Sequence, residues 1–249
     1  EHTGIYGYDL QIWLDDMQIS FAFVSALEIK RSLGIRRGKN DAVDALRIAE
    51  YAYIRRESIS LSHKPSDVIF QLRALLGERK QYVRMRAALL ARKDALHQYE
   101  SKESIYRREE IIDKYAEYIA SVDKQMRGWM QHDEEIKRNY ELISSVKGIG
   151  LVNAINTLVY TNNFTSFQTP RQYACYCGIA PFEHTSGTSI KGRTAVSKMG
   201  NQQLKCELTM AARSAIIHDP WMKQYYKRKM MSKGNAPGAH GIVLNAIKF

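Results

Sequence analysis

The stretch that decides the fold of the N-terminal part reads GIRRGKNDAVDALRIAE, from Gly34 to Glu50. Its first half is a loop rich in glycine and cations. Asn40 is a favoured helix-capping residue, and the alanine-rich sequence after it predicts a helix. Asp41 and Asp44 lie three residues apart in the first turn of that helix, so their carboxylates share one face.

Two interpretations of this acid pair are open. Acids in a first turn commonly serve only to complement the helix dipole. The basic loop directly before them favours a second interpretation, because carboxylates held among cations suit a site for a divalent metal and the phosphates on which that metal acts.

Charge points to the class of partner. The chain has 249 residues, enough for one large domain or two modest ones, and carries 37 Lys and Arg against 26 Asp and Glu, a formal net charge of +11. Such an excess favours a polyanion such as nucleic acid, although ordinary soluble proteins can also have a basic surface. No apolar run reaches membrane-spanning length, and no secretory segment is visible.

Three cysteines, Cys175, Cys177 and Cys206, lack the spacing of a zinc site. We expect all three to be reduced and mostly packed, in a cytoplasmic protein. The chain starts at Glu1 without a methionine and stops at Phe249 within a helical pattern. We therefore expect a piece of a longer protein, truncated at both ends.

The N-terminal region predicts part of an α/β layer. The β-rich run Ile19–Val24 predicts a buried strand. Helices are predicted from Ala26 to Leu33 and from Asp41 to about Ile54. One strand between helices is part of an α/β layer, and the first strands of that layer are not among these segments.

The middle region predicts two long helices. Apolar pairs recur every seven residues from Ser66 to about Gln98, and a second heptad run extends from Ile112 to Ile136, with a break at Ser101–Ser104. This pattern indicates an antiparallel hairpin or a dimerising coiled coil. The opposite face of the first helix is basic, and either solvent or nucleic-acid phosphates are predicted to lie against it. Its cations are Arg73, Arg79, Lys80, Arg84, Arg86, Arg92 and Lys93.

The third region starts near Tyr140. The run Lys147-Gly148-Ile149-Gly150 before an apolar helix is typical of a helix-hairpin-helix, whose backbone N–H groups can hold a phosphate. A tight packed turn is the alternative. Further helices are predicted at 169–177 and 202–218, and another after Pro237.

Residues 182–201 are predicted to be the least regular segment, rich in hydroxyls, glycine and cations. An exposed polar loop is the usual form of such a composition. A functional alternative is a serine beside a glycine, with Lys191, Arg193 and Lys198 close enough to hold phosphate oxygens.

Taken together, these segments resemble the DEDD transposases of the IS110 insertion-sequence family, which includes the Piv-type site-specific invertases. The resemblance covers essentially the whole chain. Three sets of motifs carry it: EHTGIY at Glu1–Tyr6, KNDAVDA at Lys39–Ala45, and YCGIAP at Tyr176–Pro181 followed by Ser186-Gly187 and SKMGN at Ser197–Asn201. Asn40 replaces the commoner threonine of the second motif, and both residues cap helices.

The resemblance implies an α/β part followed by a mostly α part. Residues 1–62 would be the C-terminal portion of a RuvC-like domain with a ribonuclease-H fold. Residues 63–139 would be a connector of long antiparallel coiled-coil helices, and residues 140–249 a helical transposase domain with the helix-hairpin-helix-like element.

It also implies the chemistry. Glu1, Asp41 and Asp44 would bind Mg²⁺ as three of the four acids of a two-metal site, with the first aspartate upstream of this chain. Ser186 would attack a DNA phosphate to form a covalent phosphoserine, with Ser189 and Ser197 as rival positions. A serine hydroxyl needs such a metal or a base to take its proton and cations to stabilise the phosphorane.

The implied partners are the element ends and target DNA, a structured guide RNA, and further copies of the chain in a dimer or tetramer formed through the coiled coil. No membrane partner is expected, and the location would be the bacterial or archaeal cytoplasm, at the nucleoid. The candidate nucleic-acid-binding residues are Arg36, Arg37, Lys39, Lys147, Gly148, Gly150, Lys191, Arg193 and Lys198.

The sequence therefore predicts an insertion-sequence transposase that cleaves and exchanges DNA strands with Mg²⁺ through a serine–DNA intermediate, guided by RNA. Two alternatives stay open. One is a RuvC-like nuclease that hydrolyses DNA with metal-bound water and needs no serine. The other is a catalytically inactive nucleic-acid-binding fragment.

Overall fold

The computed structural model describes residues 7–32, 34, 40–62, 64–96, 99–186, 190–197, 199–234 and 238–248. It divides the chain into two compact units, the first ending at Pro65 and the second beginning at Ser66. The described residues are mostly helical. None of their helices combines the length and the hydropathy that a bilayer crossing requires.

Three helices form most of the first unit: α1 (Tyr8–Asp16), α2 (Ala26–Ser32) and α3 (Asp41–Arg55). The bounds of α2 and α3 closely match the predicted ones. Ile29 of α2 and Tyr51 of α3 are buried. The hydroxyl of Tyr51 donates a hydrogen bond to the Glu28 carboxylate at 2.5 Å, which ties α3 to α2.

The predicted strand Ile19–Val24 is wrong. Phe21 makes only an isolated bridge, in which its carbonyl accepts from the Ser62 amide at 2.9 Å. The Phe23 amide donates to the Ser62 hydroxyl at 2.9 Å instead of to a neighbouring strand. A β-rich run becomes a strand only when another strand continues the ladder, and the described part of this unit supplies none. The RuvC-like fold stays a prediction.

The second unit begins with two long helices, α4 (Asp67–Leu96) and α5 (Lys102–Trp129). Ser101 caps α5 by accepting from the Ser104 amide. Cross-helix contacts pair rising numbers on α4 with falling numbers on α5, so the helices run antiparallel. These contacts are Arg79 with Asp123, Tyr82 with Tyr118, and Arg86 with the carbonyl of Ile112. Coiled-coil geometry and dimerisation stay predictions.

The second heptad run does not form one helix as far as Ile136. Helix α5 ends at Trp129, a 3-10 turn covers Met130–His132, and Asp133 caps a new helix, α6 (Glu134–Ser144). The Asp133 carboxylate accepts from the amides of residues 135 and 136, both at 3.0 Å. Met130 and Ile136 are both buried in the same core, so the apolar pattern continues although the helix is interrupted.

One apolar core joins the helix pair to α6 and to α7 (Leu151–Thr161). Its members on α4 lie only in the first half of that helix, against α7, whereas Val83 further along is 41% exposed. Among the described residues, the predicted apolar stripe of α4 is therefore fully buried only where a third helix covers it, and Leu89 and Leu90 further along are half-buried. The buried members are Val68, Ile69, Leu72, Leu75, Leu76, Val122, Met126, Met130, Ile136, Ile155, Leu158 and Val159.

The C-terminal part contains four helices and a hairpin. The helices are α8 (Pro170–Tyr176), α9 (Gln202–His218), α10 (Pro220–Lys233) and α11 (Ala239–Lys248). Helix α8 starts with a capping box, in which Thr169 accepts from the Gln172 amide and the Gln172 side chain accepts from the Thr169 amide. The bounds of α8 and α9 closely match the predicted ones.

Residues 182–201 are more regular than predicted. Strands β1 (Pro181–Ser186) and β2 (Ile190–Val196) form an antiparallel hairpin, with Pro181 opposite Val196 and Ser186 opposite Ile190. A register shift between Phe182 and His184 marks a bulge. The β-branched residues of this polar segment favour strand despite its hydrophilic composition.

The turn between α6 and α7 packs directly on α9. Gly148 has φ +99°, and a Cβ there would lie 2.5 Å from the Ala211 carbonyl oxygen and 2.7 Å from the Ala215 amide nitrogen. Only glycine allows both this backbone conformation and this approach. The alternative of a tight packed turn thus describes Gly148 well.

We expect Gly148→Ala to lower the free energy of unfolding by about 2–4 kcal/mol, because it adds both backbone strain and a clash with the α9 backbone. Chemical denaturation followed by circular dichroism measures this change. Gly150→Ala is the matched control in the same turn, since Gly150 has φ −98° and a Cβ added there would meet no described atom within 4 Å. A cost within about 1 kcal/mol is expected for that control. Equal effects of the two variants would contradict the packing explanation.

Candidate functional site

The acid pair lies where the sequence predicts, in the first turn of α3. The Asn40 side chain accepts from the Val43 amide at 2.8 Å, which confirms Asn40 as the cap. Asp41 is exposed. Asp44 forms an ion pair with Arg47 at 3.1 Å, in which the Asp44 side chain is 49% exposed and that of Arg47 16%.

These two carboxylates fit a hard divalent cation in kind but do not complete a site for one. Oxygen donors on one turn are the ligands that Mg²⁺ prefers. Within the described ranges, however, no group of three or more His, Cys, Asp or Glu side chains converges. Glu1, the third predicted ligand, lies outside the described residues. Arg47 bonds to the Oδ1 atom of Asp44, so the Oδ2 atom is the oxygen that a metal would reach without breaking this ion pair.

The serine-bearing segment lies on the β-hairpin. Ser186 is the last residue of β1, and the backbone of Lys191 pairs with that of Thr185. Arg193 follows on β2. For Ser186, Lys191 and Arg193 the structure describes the backbone alone. Ser189 and Lys198 lie outside the described residues.

Two motifs of the resemblance meet at the base of this hairpin. Gly178 has φ +66°, and a Cβ on Gly200 would lie 2.7 Å from the Gly178 Cα. The Asn201 amide donates to the Tyr176 carbonyl at 2.8 Å. The Asn201 side chain caps α9 by accepting from the Leu204 amide at 3.1 Å, and its amide group donates to the Tyr176 hydroxyl at 3.2 Å. The YCGIAP and SKMGN segments therefore form one backbone-packed unit.

Ser197, one of the rival serines, has a local structural role. Its hydroxyl accepts from the Met199 amide at 3.0 Å, within the turn that leads to Gly200. The assignment of the nucleophile to Ser186, with Ser189 and Ser197 as rivals, stays a prediction.

An aromatic cluster supports the hairpin base, and the sequence reasoning did not identify it. Ring centroids are 6.4 Å apart for Tyr160 and Tyr176, and 5.3 Å for Phe167 and Tyr176. Burial raises the pKa of Tyr176 and strongly raises that of Tyr173, whose hydroxyl bonds to the Thr157 hydroxyl. Both phenols are therefore neutral at physiological pH and act here as packed side chains. Tyr160 lies on α7, and Tyr173 and Tyr176 lie three residues apart on one face of α8. This helical spacing is the sequence signal that could have identified the cluster.

The turn at 147–150 offers a smaller accessible surface than predicted. Lys147 and Gly150 are exposed, whereas Gly148 is half-buried against α9. Arg36, Arg37 and Lys39, which were predicted to contact phosphates, lie outside the described residues.

Most cations predicted to form a basic face on α4 bond within the protein instead. The Arg79 guanidinium pairs with Asp123 at 2.6 Å, and Arg92 pairs with Glu100 at 3.2 Å. The others bond to carbonyl or amide oxygens: Arg73 to Val159, Lys80 to Gln203, and Arg86 to Ile112. Lys80, Arg84 and Arg92 are nevertheless exposed, so contacts within the protein use this face only in part, and its contact with solvent or with phosphates stays a prediction.

Two models of one kind of transposase match the chain. A transposase model of the DEDD IS110 type matches residues 1–99. A model described as the transposase IS116/IS110/IS902 family matches residues 140–227, which include the hairpin and the glycine contact at its base. The chain belongs to the IS110/IS116 family of transposases.

Curated relatives agree with this family. The chain is 29% identical over 215 residues to the pilin gene-inverting protein of Moraxella bovis, and equally similar to that of Moraxella lacunata. Each alignment covers 85% of the chain and 65% of the relative, so the chain spans about two thirds of these proteins' length. It is also 31% identical over 122 residues to the insertion element IS110 uncharacterized 43.6 kDa protein of Streptomyces coelicolor, covering 48% of the chain and 30% of that protein.

The cysteines of this region allow a test of its packing. All three are free, with Cys177 buried and Cys206 exposed. Burial raises the pKa of the Cys177 thiol to about 11 from an ordinary 9.0. At pH 8 this shift leaves roughly a hundredfold less reactive thiolate.

We therefore expect iodoacetamide to label Cys206 of the folded protein at pH 8 at least about a hundredfold faster than Cys177. Peptide mass spectrometry after timed quenching measures both rates. In denaturant the two rates should become similar. Rapid labelling of Cys177 in the folded protein would contradict the packed arrangement at the hairpin base.

Proposed function

We propose that this family member is a DNA recombinase of an insertion sequence, which cleaves and exchanges DNA strands through a serine–DNA phosphodiester. The observation that carries the proposal is the pair of family matches, one over the acid motif and one over the hairpin. Relatives named for inverting a pilin gene support it further, since inverting a DNA segment requires that strands be broken and rejoined.

The proposed chemistry begins with the Ser186 hydroxyl. Its oxygen forms a bond to the DNA phosphorus while one bridging phosphorus–oxygen bond breaks. The serine loses its proton, and the departing deoxyribose oxygen takes one up and leaves as a hydroxyl group. In the second half, a strand hydroxyl attacks the phosphoserine, forms the new DNA phosphodiester and releases serine. The energy of the original bond is kept in the intermediate, so rejoining needs no external co-reactant.

We assign charge stabilisation in that step to two sets of residues. Lys191, Arg193 and Lys198 would hold phosphate oxygens by charge-assisted hydrogen bonds. A divalent cation, Mg²⁺ in our proposal, bound by Asp41, Asp44 and Glu1, would supply further charge neutralisation and favour the deprotonated hydroxyl. Arg47 orients the Asp44 carboxylate through its Oδ1 atom.

The proposed partners follow from charge and family. DNA is the substrate class that a transposase implies. The net charge of +11 also suits a structured guide RNA, which we propose as the source of target choice. Assembly into a dimer or tetramer through α4 and α5 is proposed on the exposed apolar positions of these helices, such as Val83 and Ile111.

The serine assignment predicts a covalent adduct. With end-labelled DNA, Mg²⁺ and the cognate RNA, a protein containing this chain should form a DNA adduct that resists denaturation. Ser186→Ala should abolish the adduct, while DNA affinity changes less than about twofold, because a single hydroxyl contributes little to phosphate binding. Denaturing gels measure the adduct and fluorescence anisotropy measures the affinity.

Ser189→Ala and Ser197→Ala are the matched controls, and each should retain the adduct. An adduct that survives Ser186→Ala but is lost in either control moves the nucleophile to that position. DNA cleavage without any adduct would favour the RuvC-like nuclease, which uses water. Binding with neither adduct nor cleavage would favour a non-catalytic nucleic-acid-binding protein.

The metal assignment predicts a separation of activity from stability. Asp41→Asn and Asp44→Asn should each lower the adduct rate at least about a hundredfold, because each removes a charged ligand. Each should change the free energy of unfolding by less than about 1 kcal/mol, since these acids are exposed or in a half-exposed ion pair.

Asp113→Asn, an exposed acid on α5, should leave both quantities unchanged. Adduct rate in saturating Mg²⁺ and chemical denaturation are the two measurements. Unfolding of the α3 variants with no selective loss of activity would instead favour the helix-dipole explanation.

A further inference from the structure

Helix α10 is a cationic helix with an uncovered face. It packs on α9 and α11, yet none of its residues is fully buried. The helix itself contains no acidic residue, and within the described part of the chain none of its cations forms an ion pair. Those cations are Lys223, Lys227, Arg228, Lys229 and Lys233.

Two aromatic rings stack on this helix. Trp221 and Tyr225 are one turn apart, with ring centroids at 5.9 Å and an interplanar angle of 20°. Trp221 is 63% exposed. A tryptophan this exposed is unusual, because burying its large apolar surface is normally favourable.

Cations continue the aromatic stack toward the end of the helix. The Arg228 guanidinium carbon lies 5.6 Å from the Tyr225 ring centroid, and the Lys229 ammonium nitrogen lies 5.7 Å from it. Trp221, Tyr225, Arg228 and Lys229 have the i, i+4, i+7, i+8 spacing of one helix face. Flat π surfaces and positive charges are thus side by side.

The remaining contacts fix this face in place. Asp219, the acid that caps α10, accepts from the amides of Trp221 at 2.8 Å and Met222 at 3.3 Å. The Tyr226 hydroxyl bonds to the Nδ1 atom of His240 on α11 at 2.6 Å. Stacking residues held on an anchored helix lose little conformational entropy when a ligand binds.

We infer that the Trp221–Tyr225 pair and the cations beside it form a stacking platform for an unpaired nucleic-acid strand. Proteins bind unpaired strands without sequence preference by stacking bases on aromatic rings and placing cations along the phosphates. A duplex offers the same phosphates but keeps its bases inside. The aromatic pair therefore distinguishes this surface from a patch that attracts any polyanion.

This inference takes one thing from the proposed function, namely that the partner is a nucleic acid. It assigns a binding surface to residues other than the acid pair and the serine-bearing hairpin. Unpaired RNA and unpaired DNA share the chemistry of stacking bases and phosphates, so the experiment includes both.

Fluorescence anisotropy of labelled oligonucleotides about 15 nucleotides long tests the platform at one fixed salt concentration. The three probes are an unpaired DNA strand, the RNA strand of the same sequence and the matching DNA duplex. Trp221→Ala should weaken binding of the unpaired strands about tenfold through lost stacking, and binding of the duplex by less than twofold. Trp221→Phe, which keeps an aromatic face, should recover most of the affinity.

Tyr106→Ala is the matched control. Tyr106 is 69% exposed on α5, and its neighbours there are four acids, Glu109, Glu110, Asp113 and Glu117, with one cation, Lys114, so it offers a ring in mainly acidic surroundings. Its removal should leave all three affinities unchanged. Because Trp221 is exposed, its variants should also keep the wild-type unfolding midpoint, which excludes a folding defect.

Three outcomes would overturn the platform. Failure of the wild-type chain to bind either unpaired strand, an equal loss for strand and duplex, or no loss with Trp221→Ala would each do so. A loss confined to RNA or to DNA supports the platform and identifies its source. The serine adduct is measured separately, so an adduct that forms normally in a protein without the platform leaves the proposed recombinase function intact.

Discussion

The second unit depends on two places where backbone packs against backbone with no side chain between. At one, Gly148 lies against the Ala211 and Ala215 backbone in the middle of α9. At the other, Gly178 lies against Gly200, immediately before α9 begins. A Cβ at Gly148 or Gly200 would approach backbone atoms to less than 3 Å, and backbone cannot move aside as a flexible side chain can. The position of α9 is thereby fixed relative to both the α6–α7 turn and the hairpin.

This constraint links the packed core to the elements that we propose to be functional. Asn201 starts α9 and at the same time bonds to Tyr176, so the hairpin leaves the fold beside a rigid helix end. At the other end of α9, Asp219 begins α10 directly. The serine-bearing hairpin and the aromatic face of α10 are thus connected to the same helix, one before it and one after it. Exposed elements held on rigid supports are the usual arrangement for binding and catalytic residues.

Helix caps and apolar periodicity are local features of the sequence, and they predicted most helix bounds. The predictions that were wrong depended on contacts between distant parts of the chain. Asn40, recognised as a cap, gave the start of α3 closely, and the predicted bounds of α9 also match. Ile19–Val24 failed as a strand because β propensity says nothing about whether a partner strand is present. The heptad run as far as Ile136 predicted one continuous helix and missed the new helix that Asp133 caps, because both helices place their apolar residues in one core.

Of the candidate site, the acid pair was evident in the sequence. The contact of Gly178 with Gly200 was not, because twenty-one residues separate them along the chain and only the fold brings them together.

The number of cations on a helix does not by itself measure its attraction for a polyanion. The cations of α4 are numerous, yet Arg79, Lys80 and Arg86 are used to join α4 to α5 and α9. An ion pair such as Arg79 with Asp123 lowers the charge available to a phosphate, because Asp123 repels the same anion that Arg79 attracts. On α10 the cations lie beside exposed rings and no acid belongs to the helix itself. The attraction for a polyanion is therefore concentrated where acids are few, and a count of Lys and Arg along a helix overstates it wherever the fold has already paired them.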